Sequence, residues 1–318
     1  MSLVPRSASK IGAGVALGAL TLLGAACSSD SSSSSNTTAA PAVTATTAPL
    51  PTEVIPTQPA DPTVVAEVPA SVKSSSNFVV ATDASYPPME MYASNGTTIV
   101  GVDIDLSNAL AQTMGLTPKI ENATFDTIIP GLQSGKYGMG ASSFTDTKAR
   151  QKVVDFVDYF TAGEAFYVKT GSNVTLSGLV SLCGHSVAVE AGTTEETDAK
   201  AQAASCKKKN TGDVTVLVFN NQNQANLAVS SGRADAGFVD SQVAGYIVST
   251  SNGMFALSGS AFNLAPYGLA LPKGNGMTVP VQAALNTIIK NGVYNQILTK
   301  WGVQAGALTT ATINGATS

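Results

Sequence analysis

The stretch LQSGKYGMG at residues 132–140 returns as VSSGRADAG at residues 229–237. Each copy has the pattern of a helix end, a glycine followed by a base that stops the helix, and the start of a strand. The two glycines are 97 positions apart (232 − 135 = 97). This constant offset predicts two similar lobes. The alternative is that this helix–glycine–strand pattern is only a common joint of α/β proteins.

Short apolar runs alternate with helical patterns on both sides of the repeat. This alternation predicts an α/β fold with mostly parallel sheets. In such sheets ligands bind beyond the carboxyl ends of the strands. The predicted strands are 78–81, 119–120, 153–156, 165–168, 186–189, 214–219, 236–239 and 267–271, and the predicted helices are 104–114, 124–132, 195–204, 223–230 and a C-terminal stretch that ends at Trp301.

The N-terminus has the layout of an export signal, residues 1–26. Arg6 and Lys10 precede an apolar, small-residue run that ends at Ala26, and a Ser-rich stretch follows. Cys27 stands where a bacterial lipoprotein carries its lipidated cysteine, although Gly24 replaces the usual aliphatic residue of that motif. We therefore predict a lipid on Cys27 that anchors the protein outside the cell membrane, with plain cleavage after Ala26 as the alternative.

Cysteine counting agrees with export. The chain has three cysteines, and lipid on Cys27 leaves Cys183 and Cys206 as an even pair. Such a pair is expected to oxidise outside the cytoplasm. The sequence therefore predicts a Cys183–Cys206 disulfide, with two unrelated thiols as the alternative.

Composition limits the remaining possibilities. The formal net charge is −4 and there is no basic stripe, which argues against a nucleic acid as partner. The single histidine, His185, has too few partners for a metal site, and we expect no metal or other cofactor. Residues 28–76 contain no aromatic residue, so residues 27–76 are predicted to be a disordered tether that carries the lipid.

The folded part carries the groups that a free amino acid needs. Such a ligand is a zwitterion, and its carboxylate is best bound by an arginine fork and by helix N-termini. Arg150 follows the polar segment 142–145 on a helix that Thr147 is predicted to cap. Thr193 and Glu196 form a possible capping box at the start of another helix.

An acceptor for the ammonium group comes from the second repeat. Asp240 lies at the end of the strand at residues 236–239, and the offset of 97 places it opposite Ser143 of the first copy. Both residues are therefore predicted to lie at the carboxyl ends of strands.

Four motifs now allow a comparison with a known family. They are ATDASYPPME at 81–90, GVDIDL at 101–106, FVDYF at 156–160, and NGVY with KWGV at 291–294 and 300–303. In this order and spacing they resemble the extracellular solute-binding proteins, family 3, of polar amino-acid ABC transporters. The resemblance spans residues 78–303. Two positions depart from the pattern: Gly138 replaces a usual Asp, and Phe144 replaces a smaller aliphatic residue.

The resemblance implies a two-lobed α/β fold of the type II periplasmic-binding-protein kind, hinged on two crossing strands near Lys169–Thr170 and Leu264–Pro266. Lobe 1 would comprise residues 77–168 and 266–304, lobe 2 residues 171–263, and residues 305–318 would be a flexible tail. The protein would be a monomer that binds a free amino acid, hands it to the membrane permease of an ABC importer and catalyses no reaction.

The family's ligand-binding residues map onto this chain as a set. Arg150 would clamp the ligand carboxylate, Asp240 and Ser143 would take the ammonium, and Tyr86 would form an aromatic wall. Asp83 would reach toward the ligand side chain, which favours a polar or cationic amino acid. The full predicted set is Asp83, Tyr86, Ser142, Ser143, Phe144, Thr145, Arg150, Thr193, Thr194 and Asp240.

Two other functions are compatible with the same fold. The first is an enzyme that resembles cyclohexadienyl dehydratase, which needs a proton-transferring acid in the pocket. Glu90, Glu190 and Glu195 are the candidate acids. The second is a ligand-presenting partner of a membrane sensor protein.

Overall fold

The computed structural model describes residues 50–74 and 78–316. The helices are α1 Pro62–Glu67, α2 Ala70–Lys73, α3 Val102–Thr113, α4 Phe125–Gln133, α5 Thr194–Lys209, α6 Gln222–Ser230, α7 Ser241–Thr250, α8 Thr278–Lys290 and α9 Val293–Lys300. The strands are β1 Phe78–Thr82, β2 Ser85–Tyr86, β3 Glu90–Tyr92, β4 Ile99–Val100, β5 Pro118–Asn122, β6 Met139–Gly140, β7 Val154–Lys169, β8 Ser186–Glu190, β9 Thr215–Phe219, β10 Ala236–Asp240, β11 Phe255–Pro272 and β12 Ala307–Ile313.

The strands build a nine-stranded sheet in the order β5-β1-β6-β11-β7-β10-β8-β9, with β12 added to β7. Strands β5, β1 and β6 are parallel and form lobe 1, and strands β10, β8 and β9 are parallel and form lobe 2. Strands β2, β3 and β4 form a small separate sheet. The predicted two-lobed α/β fold is therefore confirmed.

The repeat is confirmed as a structural unit. Helices α4 and α6 begin and end with the same offset of 97 (222 − 125 and 230 − 133), and β6 and β10 begin with it too (236 − 139). Gly135 and Gly232 both have positive φ, +76° and +75°. That backbone conformation is accessible to glycine at little cost, which is why each copy keeps its glycine.

Two long antiparallel strands join the lobes. Strands β7 and β11 pair from Val154 opposite Pro272 to Lys169 opposite Phe255, and the register breaks between residues 258 and 265. Each strand therefore contributes one half to each lobe.

The first crossing was predicted near Lys169–Thr170, and this position is wrong. From Glu164 to Val168, β7 already pairs with β10 of lobe 2, so the chain crosses just before Glu164. The sequence predicted two short strands, at 153–156 and 165–168, where the structure has one. The link between them is almost entirely buried, and both faces of a buried strand carry apolar residues, so the period-2 pattern disappears there.

The end of the predicted tether is ordered. Helix α1 begins after Asp61, whose side chain accepts a hydrogen bond of 2.9 Å from the backbone N–H of Thr63. Val64 and Val68 are 3% and 2% exposed and join the main hydrophobic core cluster. The prediction of disorder up to residue 76 is therefore wrong for residues 62–73, because two valines four residues apart suffice to dock a short segment. The signal, Cys27 and residues 28–49 lie outside the described residues.

The predicted flexible tail is also wrong for residues 307–313. These residues form β12, which pairs with β7. Ala311 and Ala316 are each 4% exposed. Small residues and threonines gave no strong sequence signal, yet they pack closely against the open edge of β7.

The predicted disulfide is confirmed between Cys183 and Cys206. It closes a loop with a sequence separation of 23 and contributes ~3 kcal/mol in the chain-entropy estimate. Within the described residues, no helix has both the length and the apolar character that a membrane crossing requires.

The packing of residues 62–73 against the core predicts that a substitution in this segment lowers the stability of the protein. Val68→Ala should lower the free energy of unfolding by about 1–3 kcal/mol, because it removes two buried methyl groups. Val54→Ala is the matched control, since Val54 is 88% exposed. Urea denaturation measures both variants, and equal stability of the two would show that the segment is not docked in solution.

Candidate functional site

A cavity lies between the lobes. Lobe 1 supplies loops that follow β1 and β6, and lobe 2 supplies the loop after β8 and the end of β10. The lining residues are Asp83, Tyr86, Glu90, Phe125, Ser142, Ser143, Thr145, Arg150, Glu190, Thr193, Thr194, Glu195 and Asp240. The cavity therefore lies at the carboxyl ends of strands in both lobes, which is the expected position for a ligand in this fold class.

Nine of the ten predicted ligand-binding residues line this cavity, and Phe144 does not. Phe144 is 1% exposed and stacks on Phe125 with 4.5 Å between ring centroids. Its side chain points away from the cleft into the cluster around Ile128 and Phe156. Phe144 is therefore set behind the cavity wall, and its neighbour Phe125 is the phenylalanine that lines the cavity.

Arg150 reaches across the cleft from lobe 1. It begins a short 3-10 helix, Arg150–Lys152, rather than the predicted longer helix, and Thr147 Oγ1 accepts its backbone N–H at 3.2 Å. The guanidinium donates to the carbonyls of Thr145 and Gly192, both at 2.8 Å. These bonds use two of the five N–H donors of the fork. No carboxylate of the described residues forms an ion pair with Arg150.

Rings support the guanidinium on one side. Its central carbon is 5.4 Å from the ring centroid of Phe125 and 5.6 Å from that of Phe144. Cation–π contacts of this kind hold an arginine in place without neutralising its charge. Arg150 is therefore a fixed cation with donors to spare.

Asp240 and Tyr86 form the second contact between lobes. Tyr86 Oη donates to Asp240 Oδ2 at 2.7 Å and accepts the backbone N–H of Asp240 at 3.1 Å. Burial raises the pKa of the Asp240 carboxyl to about 6, despite the hydrogen bonds from Tyr267 and Tyr86 and the charge of Arg150. Asp240 therefore ionises more easily once a cation reaches it.

Helix α5 begins in the loop after β8, and its first residues line the cavity. Thr193 Oγ1 accepts the N–H of Glu196 at 3.1 Å, as predicted for a capping box, while Glu196 Oε2 accepts from Gly192 rather than from Thr193. Thr194 Oγ1 lies 3.3 Å from Thr145 Oγ1 of lobe 1. The start of this helix therefore faces the same space as Arg150.

Three carboxyls of the cavity were not in the predicted set: Glu90, Glu190 and Glu195. Glu190 and Glu195 flank the threonine loop, and burial raises the pKa of both well above the usual range. Each keeps one buried oxygen, Oε1, without a hydrogen-bond partner among the described residues. After burial, the charge of Asp83 in lobe 1 is the next cause that raises the pKa of Glu190 in lobe 2.

The sequence of the chain matches a known protein family. The sequence pattern of the bacterial extracellular solute-binding proteins, family 3, matches residues 78–304. This chain belongs to that family.

Individual relatives agree with the assignment. The arginine-binding protein of Corynebacterium glutamicum is 32% identical over 254 residues, which cover 80% of this chain and 83% of the relative. The solved structure of an ancestral arginine-binding protein bound to arginine is 37% identical with a TM-score of 0.66, and the match covers 71% of this chain and 98% of that one.

A third neighbour keeps one alternative in view. An ancestral amino acid-binding protein that is a precursor of cyclohexadienyl dehydratase is 33% identical with a TM-score of 0.65. The match covers 73% of this chain and 97% of that chain. The fold of a solute-binding protein is thus compatible with both binding and catalysis.

A buried carboxyl pair supports the serines of this solute-binding protein. Glu90 and Asp103 are both 0% exposed and lie close enough for the charge of Asp103 to act on the pKa of Glu90. Ser142 Oγ donates to Glu90 Oε1 at 3.0 Å, and the N–H of Ser143 donates to Asp103 Oδ2 at 2.8 Å. Tyr159 Oη donates to the other oxygen of Asp103 at 2.6 Å.

The pair also holds a strained backbone in place. Ser143 has φ of +51°, a left-handed conformation that costs a non-glycine residue of order 1–3 kcal/mol and persists only when neighbours impose it. Burial and the charge of Asp103 raise the pKa of Glu90 well above the usual range. Glu90 is therefore the protonated partner, and it keeps the hydroxyls of Ser142 and Ser143 engaged as donors.

This arrangement predicts different results for two substitutions of Glu90. Glu90→Ala should lower the free energy of unfolding by about 2–4 kcal/mol, since it leaves a cavity and unpaired polar groups. Glu90→Gln should stay within about 1 kcal/mol of the wild type at pH 5, because an amide can donate to Asp103 and accept from Ser142.

The pH dependence gives the control. Because the pKa of Glu90 is raised on folding from a usual value of 4.5, folding binds a proton, and wild-type stability falls as the pH rises above that value. The Gln variant lacks this proton. The free energy of unfolding of the Gln variant should therefore rise relative to that of the wild type from pH 5 to pH 8. A difference that is independent of pH would contradict a protonated Glu90.

Proposed function

We propose that this solute-binding protein captures a free cationic amino acid, with arginine as the best fit, and delivers it to the membrane permease of an ABC importer. One observation carries the proposal. Among the described residues that line the cavity, five are carboxylic acids, Asp83, Glu90, Glu190, Glu195 and Asp240, and one is a base, Arg150. Glu90 keeps its proton and adds no charge, and a guest with more positive than negative charge would stabilise the ionised form of the other four acids.

One end of the cavity suits the carboxylate and the ammonium that every free amino acid carries. The unused donors of Arg150 and the helix start at Thr194 suit a carboxylate. Asp240 suits the ammonium, since it is the carboxyl near Arg150 with a pKa of about 6. These groups would bind any free amino acid, so they would not make the site selective for one of them.

The side-chain end is where selectivity would arise. Asp83 and Glu190 meet from opposite lobes, and Glu190 has an unpaired oxygen. A guanidinium offers five donors in one plane, which match carboxyl oxygens bidentately. The rings of Tyr86 and Phe125 also line the cavity and suit the flat faces of that group. The names of the related arginine-binding proteins support the same ligand.

Delivery from outside the membrane is part of the proposal. Members of the family are extracellular, and an export signal with lipid on Cys27 would tether this one to the cell membrane. We propose that the protein works as a monomer that closes its lobes around the ligand, because Arg150 and Asp240 come from different lobes.

Catalysis is the second candidate, favoured by two observations. Glu190 and Glu195 have raised pKa values, which a general acid requires, and a dehydratase precursor is a structural neighbour. A turnover assay on the tightest-binding amino acid decides between the two. Unchanged ligand after prolonged incubation supports binding alone.

Calorimetry against all common amino acids tests the proposal. We expect arginine and lysine to bind most tightly. Glu190→Gln should weaken arginine by about tenfold or more, the value of one charged hydrogen bond, and should change glutamine binding little. Arg150→Ala should weaken every ligand, whereas Val54→Ala should weaken none. Tightest binding of an acidic amino acid would overturn the proposal.

A further inference from the structure

The chain continues past the end of the family match at residue 304 and folds back onto lobe 1. In β12, the N–H of Leu308 donates to Tyr294 Oη at 2.9 Å, and the N–H of Ala311 donates to Asn286 Oδ1 at 2.9 Å. Strand β12 therefore carries the following residues to a defined place.

Residues 314–316, which we name the C-terminal hook, bind side by side to acidic residues. Asn314 Nδ2 donates to Asp155 Oδ1 at 3.0 Å. The N–H of Gly315 donates to Asp158 Oδ2 at 3.0 Å, and the N–H of Ala316 donates to Asp146 Oδ2 at 3.1 Å. The hook is thus held by a run of hydrogen bonds to three carboxyls.

Gly315 is the residue that permits this approach. A Cβ atom at this position would lie 2.3 Å from Asp158 Oδ2 and 2.8 Å from Thr312 Oγ1. Both distances are far shorter than van der Waals contact. A side chain at residue 315 would therefore force a shift between the hook and the side chains of Asp158 and Thr312.

Asp146 connects the hook to the ligand cavity. It follows Thr145, whose carbonyl accepts the guanidinium of Arg150 at 2.8 Å. Gln151, the residue after Arg150, donates through Nε2 to both oxygens of Asp146 at 2.8 and 3.0 Å. Asp146 is 1% exposed. Its carboxyl therefore ties the two ends of the loop 145–151 together.

The hook also stabilises two neighbouring acidic residues, Asp146 and Asp158. Burial and then the charge of Asp146 raise the pKa of Asp158 to about 6. Near neutral pH two adjacent carboxylates would repel unless nearby donors stabilise them. The N–H groups of residues 315 and 316 and the hydroxyl of Thr312, at 2.8 Å from Asp158 Oδ2, supply these donors.

We infer that the C-terminal hook is a positioning element for Arg150: it holds Asp146, and through Asp146 the loop 145–151, in the geometry that binds the ligand carboxylate. The inference rests on the proposed function for its ligand. The hook does not touch the cavity. It acts on the backbone end of the ligand, so it affects all amino acids alike and leaves selectivity among them unchanged.

Two variants remove the hook in different ways. Gly315→Ala displaces it by a single methyl group, and truncation after Ile313 deletes it. The matched controls are Gly245→Ala, where a Cβ meets nothing within 4 Å, and truncation after Ala316. Calorimetry should show affinity for arginine and for every other bound amino acid weakened by about fivefold or more in both variants, with unchanged ratios between ligands and no effect in the controls.

Hydrogen exchange on the ligand-free protein provides a readout that needs no ligand. The N–H groups of residues 151–153 are bonded within the loop and its 3-10 helix. Their exchange should accelerate in both hook variants, while the amides of α3 and α8 keep their protection. If the wild type binds no amino acid, the proposed function fails, and this exchange still decides the role of the hook.

Three results would contradict the inference about the hook. Affinity within twofold of the wild type in the hook variants would overturn the inference, whatever the exchange rates. Unchanged exchange at 151–153 would overturn it as well. Loss of protection throughout lobe 1 would show that the hook stabilises the fold generally rather than positioning Arg150.

Discussion

Burial of carboxyls around a single guanidinium is the constraint on which this structure depends. An isolated buried carboxylate is costly, so it must find a cation, find donors or keep its proton. The described part of the chain uses the last solution repeatedly around the cleft and the hinge, in pairs of carboxyls where the charge of one raises the pKa of the other. These pairs are Glu90–Asp103, Asp83–Glu190, Asp146–Asp158 and Glu164–Asp198. Two of them, Asp83–Glu190 and Glu164–Asp198, join segments that are distant in sequence, so their charge state is linked to tertiary structure. In Asp83–Glu190 the two partners belong to different lobes, which couples lobe closure to the charge of the guest.

Much of the site could be predicted from local sequence. The repeat places Ser143 and Asp240 at equivalent strand ends, and the polar segments next to them supply Arg150 and the threonine loop. The same reasoning missed Phe125 as a wall of the cavity and put Phe144 there instead. A signal existed, since the offset of 97 makes Phe125 the counterpart of Gln222 at a helix start. The acidic excess was also visible, because Glu190 and Glu195 flank the threonine loop, but whether a glutamate faces a cavity or solvent depends on packing that one sequence does not encode locally.

Tertiary contacts decided the parts that sequence reasoning got wrong. Residues 62–73 have the composition of a linker, yet Val64 and Val68 dock because α3 and α8 offer them an apolar surface. The tail from residue 307 consists mostly of alanines and threonines, yet β7 offers it an open edge with which β12 pairs. The middle of β7 lost its alternating pattern because both of its faces are covered. In each case the partner surface was distant in sequence, so local propensity carried too little information.

The central claim is that a positive charge on the ligand side chain, rather than its length or shape, satisfies the acidic cavity. Arginine and citrulline separate these properties, since citrulline has a neutral urea group in place of the guanidinium and is otherwise nearly the same molecule. Competitive calorimetry on the wild-type protein at pH 7 measures both dissociation constants under the same conditions. We expect citrulline to bind at least about tenfold more weakly, since hydrogen bonds between charged partners contribute ~1.5–3 kcal/mol. Equal affinity, or a preference for citrulline, would contradict the claim.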